Sequence, residues 1–98
     1  MIRHVVMFRW NEGVSPEHIA ATTAEFATLP PAIPQIRSYA WGADLGVVPT
    51  NFDYAVTAEF DSVDGFVAYR DHPAHQALVQ TFIATHVSER VAVQFDVG

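Results

Sequence analysis

The sequence predicts an α+β fold in which a four-stranded antiparallel sheet carries its helices on one face. Several segments alternate apolar and polar side chains with the period of two that is typical of strands. Helical patterns with capping residues separate these segments in the order β-α-β-β-α-α-β. Two β-α-β halves within 98 residues imply one ferredoxin-like domain, which we expect to occupy residues 1–98.

The first strand, predicted over residues 2–10, carries apolar side chains on both faces. Ile2, His4, Val6, Phe8 and Trp10 alternate with Arg3, Val5, Met7 and Arg9. The chain's own helices can cover one face, whereas Val5 and Met7 need another cover. Because the chain is short and 50% hydrophobic, we expect a homodimer that buries this second face and forms an α+β barrel.

The first helix is predicted to begin after Ser15, because a serine hydroxyl caps free N–H groups and Pro16 suits the first helical position. Phe26 follows on the buried stripe, and the helix is expected to end before Pro30. The proline-rich segment 29–36 is expected to be a packed loop without regular structure.

The second and third strands are predicted over residues 36–44 and 52–60, joined by a turn at 46–51. The third strand alternates Phe52, Tyr54, Val56, Ala58 and Phe60 with Asp53, Ala55, Thr57 and Glu59. Alternation at Val91, Val93, Phe95 and Val97 predicts the last strand.

The chemically richest stretch is Tyr69-Arg-Asp-His-Pro-Ala-His75, between the third and last strands. A helix capped by Ser62 is predicted over 63–71 and another from 73 to about 85, since His72 precedes Pro73. His75 then lies in the first turn of the second helix, where the helix dipole disfavours a positive charge. Neutral imidazole, with an ordinary pKa of about 6.5, can act as a general base.

Composition excludes several classes of function. All basic residues are arginines, five against eleven acids, and the net charge of -6 argues against nucleic-acid binding. The chain has no lysine for a Schiff base and no cysteine for a thiol nucleophile or thiolate metal site. No leader pattern and no apolar run of about 18 residues is present, so we expect a cytoplasmic protein without membrane contact.

The histidines leave several interpretations open. His4, His72 and His75 have a suitable count for zinc, but His72 and His75 straddle Pro73 and no further ligand is suggested, so no metal site is predicted. His4 and His75 could also be buried histidines satisfied by hydrogen bonds, and His72 could order the turn before Pro73. Tyr69 could be a core aromatic.

Several motifs resemble the stress-responsive dimeric α/β-barrel domain family over nearly the whole chain. They are Ile2-Arg-His-Val-Val-Met-Phe8, Pro34 with Ile36, Phe60-Asp-Ser62, and Tyr69 with His72-Pro-Ala-His75. The resemblance implies a ferredoxin-like unit that dimerises through its sheet. One plant enzyme of this family is a polyketide cyclase that closes a ring by aldol chemistry without a cofactor. In that enzyme the counterpart of His75 is the base and the counterpart of Tyr69 assists it.

The resemblance implies a cofactor-independent cyclase or lyase that acts on a polyketide-like or other acidic carbonyl compound. His75 and Tyr69 would be catalytic, and the ligand would be small, apolar and carbonyl-containing. The residues expected to bind it are His4, Val6, Phe8, Phe26, Tyr54, Val56, His72, Leu78 and Val79. Tyr54 stands where the cyclase has a histidine. The alternatives are a non-catalytic stress-responsive dimer or larger assembly, and a small-ligand binding protein of the same fold.

Overall fold

The computed structural model describes residues 1–98 and contains one four-stranded antiparallel sheet with helices on one face. The strands are β1 (Ile2–Trp10), β2 (Ser38–Ala43), β3 (Tyr54–Phe60) and β4 (Val87–Asp96). The helices are α1 (Pro16–Phe26), α2 (Leu29–Ala32), α3 (Val63–Asp71) and α4 (Pro73–Leu78), with a π-helical turn at Val79–Ile83. The strand order is β2-β3-β1-β4, which confirms the predicted ferredoxin-like architecture. No helix has the length and apolar character needed to cross a membrane.

The buried face of the sheet packs against the helices and forms the core. Its members are Val6, Phe8, Tyr54, Val56, Ala58 and Phe60 from the central strands, with Phe26, Leu29, Ile33, Tyr69, Leu78 and Ile83 from the helical layer. Burial alternates along β1 and β3 with a period of two, as the sequence predicts. The sheet therefore packs against the helical layer through this face.

The opposite face of the sheet is open and apolar. Val5 pairs with Val93, and Met7 lies between Ala55 and Val91. The side chains of Met7, Val91 and Val93 are substantially exposed. This arrangement confirms that Val5 and Met7 point away from the chain's own helices.

The segment 29–36, expected to be a loop, begins instead with the helical turn α2. Pro30 and Pro31 occupy early positions of this turn, where a missing N–H group costs no hydrogen bond. The N–H of Ile33 closes the turn by donating to the carbonyl oxygen of Leu29 at 2.9 Å. Leu29 and Ile33 are buried, so the turn anchors the connection to β2.

The helix expected from 73 to about 85 is not uniform. α-Helical geometry ends at Leu78, and the π-helical turn follows. The N–H of Ala84 donates to the carbonyl oxygen of Val79 at 2.8 Å, a five-residue spacing that widens the helix. The strand bounds also differ slightly, since β3 begins at Tyr54 instead of residue 52 and β4 begins at Val87.

Candidate active site

At the break between α3 and α4, the carbonyl of Arg70 lacks its helical donor and can accept hydrogen bonds from side chains. Pro73 has no N–H to donate to the carbonyl of Tyr69, which accepts instead from the N–H of His72. The N–H of Ala74 donates to Nδ1 of His72 at 3.0 Å. The carbonyl of Arg70, whose usual helical donor would be that same N–H, is therefore left for side chains.

The carbonyl of Arg70, which also accepts from the side-chain amide of Gln76 at 2.7 Å, fixes the protonation pattern of His75. Nδ1 of His75 lies 2.9 Å from this oxygen. A carbonyl oxygen can only accept, so Nδ1 carries the proton and Nε2 keeps its basic lone pair. Nε2 has no hydrogen-bond partner within the chain. Burial lowers the pKa of His75, which keeps the ring neutral at neutral pH.

Tyr69 lies directly beside His75. The two ring centroids are 4.3 Å apart, and Tyr69 is almost fully buried. Its hydroxyl lies 2.7 Å from the hydroxyl of Tyr39 on β2. Burial raises the pKa of Tyr69 to about 12, while the hydrogen bond from Tyr39 and the positive charge of Arg90 act in the opposite direction. Tyr69 is therefore a neutral hydrogen-bonding group at neutral pH.

His4 on β1 contributes a second neutral imidazole. Its Nδ1 lies 2.9 Å from the side-chain amide nitrogen of Gln94, which donates, so the proton of His4 resides on Nε2. Burial, followed by the charges of Arg90 and His75, lowers the pKa of His4 to about 4. The two histidines thus have opposite tautomers: His75 offers an acceptor at Nε2 and His4 offers a donor.

These side chains line a cavity of about 490 Å³ between the sheet and the helices. Most of its wall is apolar, which suits a small organic ligand. Of the expected site residues, the following line it: His4, Val6, Phe8, Phe26, Val56, Tyr69, His75, Leu78 and Val79. The π-helical turn adds Ile83 to the same wall.

Tyr54 and His72, expected to contact the ligand, do not line this cavity. Tyr54 is buried against Phe8, with ring centroids 5.1 Å apart, and its hydroxyl lies 2.8 Å from Oγ1 of Thr23. His72 caps the N-terminus of α4 through Ala74. Tyr54 is thus a core residue, and His72 orders the helix break.

Several polar residues of the cavity were not identified from the sequence. They are Arg70, Gln76, Ser88, Glu89 and Arg90. Arg90 lies opposite Phe8 in the β1–β4 register, and Gln94 lies opposite His4. Strand alternation could have indicated this face of β4, but the valines on the other face gave the stronger pattern.

The histidines do not form a metal-binding group. No cluster of three or more His, Asp or Glu side chains is arranged to hold an ion, and His4, His72 and His75 each use Nδ1 in a hydrogen bond. A further histidine, His18, is half-buried in the first turns of α1. Its ring stacks on His86 at 3.8 Å, and Nε2 lies 2.9 Å from the carbonyl oxygen of Phe82.

The fold and the cavity define a ferredoxin-like α+β domain with a ligand-sized apolar site between its sheet and its helices. Residues 2–97 match the family described as the stress responsive A/B barrel domain. The chain belongs to this family, as the sequence motifs indicated.

Individual relatives support the same assignment. An uncharacterized protein of Streptomyces coelicolor is 33% identical over 79% of this chain and 81% of its own length. The structure of a dimeric ferredoxin-like protein of unknown function from Thermobifida fusca is 47% identical, with a TM-score of 0.91 over 98% of this chain and 90% of that one. A hydroxynitrile lyase from Passiflora edulis has a TM-score of 0.84 at 23% identity, over 99% of this chain and 93% of that one, a likeness that shows the fold alone.

Proposed function

We propose that the protein is a cofactor-independent enzyme of the cyclase or lyase type, which uses His75 as a general base on an acidic carbonyl compound. The observation that carries this proposal is the hydrogen bond between Nδ1 of His75 and the carbonyl of Arg70. It leaves Nε2 as a free base on the wall of an apolar cavity. The lowered pKa of His75, caused by burial, keeps that base unprotonated at neutral pH.

His75, Tyr69 and His4 would have different roles in an aldol-type reaction. Nε2 of His75 removes a proton from a carbon between two carbonyl groups, and the electron pair moves onto a carbonyl oxygen to form an enolate. Tyr69 donates a hydrogen bond to that oxygen, and the Nε2–H of His4 is a second donor on the same wall. The enolate carbon then attacks a second carbonyl carbon, and the resulting alkoxide takes the proton back from His75. The same steps in reverse cleave a carbon–carbon bond.

Proton removal can be measured without knowing the natural substrate. The N-acetylcysteamine thioester of 3-oxooctanoic acid, an apolar 3-oxo thioester, is incubated with the protein in D₂O, and exchange at C2 is followed by NMR. The proposal predicts that the protein accelerates exchange above the buffer rate. An unchanged exchange rate while the thioester still binds would favour the alternative of a small-ligand binding protein.

We also propose that the chain is a homodimer formed through the open face of the sheet. Support comes from the exposed apolar side chains Met7, Val91, Val93 and Phe95, which share this face. When the open faces of two copies pack against each other, both apolar surfaces are buried and no other partner is needed. The cavity lies on the opposite side of the sheet, so both copies keep it open.

A further inference from the structure

Arg90 differs from every other arginine of the chain. Arg3, Arg9, Arg37 and Arg70 form ion pairs with Glu59, Glu89, Asp61 and Asp71, respectively. The side chain of Arg90 has neither an ion pair nor a hydrogen bond within the chain. This is unexpected in a protein with eleven acidic residues and only five basic ones.

Arg90 lies at the edge strand β4 and borders the cavity. It pairs with Phe8 in the β1–β4 register, so it lies on the same face of the sheet as Phe8, and its exposed side chain lines the cavity. The neighbouring Glu89 also borders the cavity, but its carboxylate lies 3.4 Å from Nε of Arg9. Arg70, the other arginine of the cavity, is held by Asp71 at 2.9 Å. Arg90 is therefore the uncompensated cation of the site.

The electrostatic surroundings support the same conclusion. After burial, the charge of Arg90 is a further cause of the lowered pKa of His4 and of His75. Both imidazoles are neutral at neutral pH, so neither supplies a second positive charge. An anion in this cavity would meet one cation that has no ion-pair partner, the guanidinium of Arg90.

We propose that Arg90 binds a carboxylate of the ligand, so that the substrate is an apolar carbonyl compound carrying a carboxylate in addition to its reacting carbonyl groups. The inference rests on the proposed function and names its substrate class. A guanidinium presents paired N–H donors that match the two oxygens of a carboxylate, and an apolar wall beside it strengthens this contact. The anchor would fix which carbon of the substrate approaches His75.

Two isosteric probes test the anchor independently of catalysis. Naphthalene-2-carboxylate and naphthalene-2-carboxamide have the same apolar body and differ in charge. Calorimetric titration of the dimer at pH 7 should show the carboxylate binding on the order of 10-fold more tightly, the usual gain from a hydrogen bond to a charged group. Arg90→Gln should abolish this preference and leave amide binding unchanged. Arg90→Lys should retain part of it.

Arg37→Gln is the matched control, because it removes the same charge from a site where Arg37 pairs with Asp61. It should leave the carboxylate preference intact. Equal binding of the two probes by the wild type, or a preference that persists in Arg90→Gln, would overturn the anchor while leaving the cavity in place. Dissociation of the dimer by Arg90→Gln would overturn it too, since Arg90 would then serve the subunit interface. Failure of both probes to bind would instead count against the ligand cavity itself.

Discussion

The hydroxyl groups of Tyr39 and Tyr69 lie 2.7 Å apart, which joins β2 to α3 beside the catalytic candidate His75. Burial raises the pKa of Tyr39 far above its ordinary value, so Tyr39 keeps its proton. With Tyr39 as the donor, the proton of Tyr69 is free for a ligand. The same hydrogen bond stabilises negative charge that develops on Tyr69.

Replacing Tyr39 by Phe should therefore slow C2 exchange of the 3-oxo thioester by roughly 3- to 10-fold, the usual value of one hydrogen bond. The effect should disappear when Tyr69 is already Phe, because Tyr39 acts through the Tyr69 hydroxyl. The exchange rates of Tyr39→Phe, Tyr69→Phe and the double variant complete a double-mutant cycle that measures this coupling. Additive losses would show that Tyr39 acts by another route.

His4 should make stability depend on pH. Its pKa is about 4 in the folded chain against 6.5 as the ordinary value, mainly because of burial. Between these values the unfolded chain binds a proton that the folded chain does not, so the free energy of unfolding should fall as the pH is lowered from 6.5 to 4. The contribution of His4 is at most about 3 kcal/mol.

Urea unfolding from pH 4 to 7.5 measures this loss. In His4→Asn the amide can replace Nδ1 in the contact with Gln94 but does not titrate. We expect a flatter pH profile for this variant than for the wild type. Parallel profiles would assign the loss of stability to other groups.

The dimer proposal predicts a face-specific effect of charge. Val93→Glu places a carboxylate on the open sheet face opposite Val5, and burying it should weaken association on the order of 100-fold. Val63→Glu is the control, since Val63 is exposed at the start of α3. Sedimentation equilibrium should show a dimer for the wild type and the control. A wild-type monomer at micromolar concentration would refute the interface.

His72 should affect stability more than ligand binding. His72→Ala removes the cap of α4 and should lower the free energy of unfolding by about 1 kcal/mol. His72→Asn should restore most of this, because asparagine is a good N-cap. Neither variant should change the affinity for naphthalene-2-carboxylate. If His72→Asn restores the stability but not the affinity, His72 would belong to the binding site.

Much of the fold could be predicted from local patterns. Period-two alternation identified the strands, and Pro73 identified the break that places His75. β4 shows where such patterns mislead. Its apolar residues Val91 and Val93 lie on the open face, while Arg90 and Gln94 face the helices. Apolar alternation finds the strand but cannot tell which of its faces covers the chain's own core and which is left open.

The site itself depended on contacts that no local pattern contains. The Tyr39–Tyr69 hydrogen bond links residues 30 positions apart, and the contact of His4 with Gln94 spans 90. The tautomer of His75 follows from its contact with the Arg70 carbonyl, which lacks its usual helical donor because the N–H of Ala74 donates to His72. Sequence motifs supplied the residue types, whereas the proposed roles rest on the geometry.

The role of Nε2 of His75 as a base can be tested with His75→Asn in the C2 exchange assay. The asparagine amide can still donate to the carbonyl of Arg70, so the substitution removes Nε2 while keeping the local hydrogen bond. If Nε2 is the base, the exchange rate should fall by about 100-fold, the usual contribution of a general base, with little change in the free energy of unfolding. An exchange rate per folded molecule equal to that of the wild type would contradict this role.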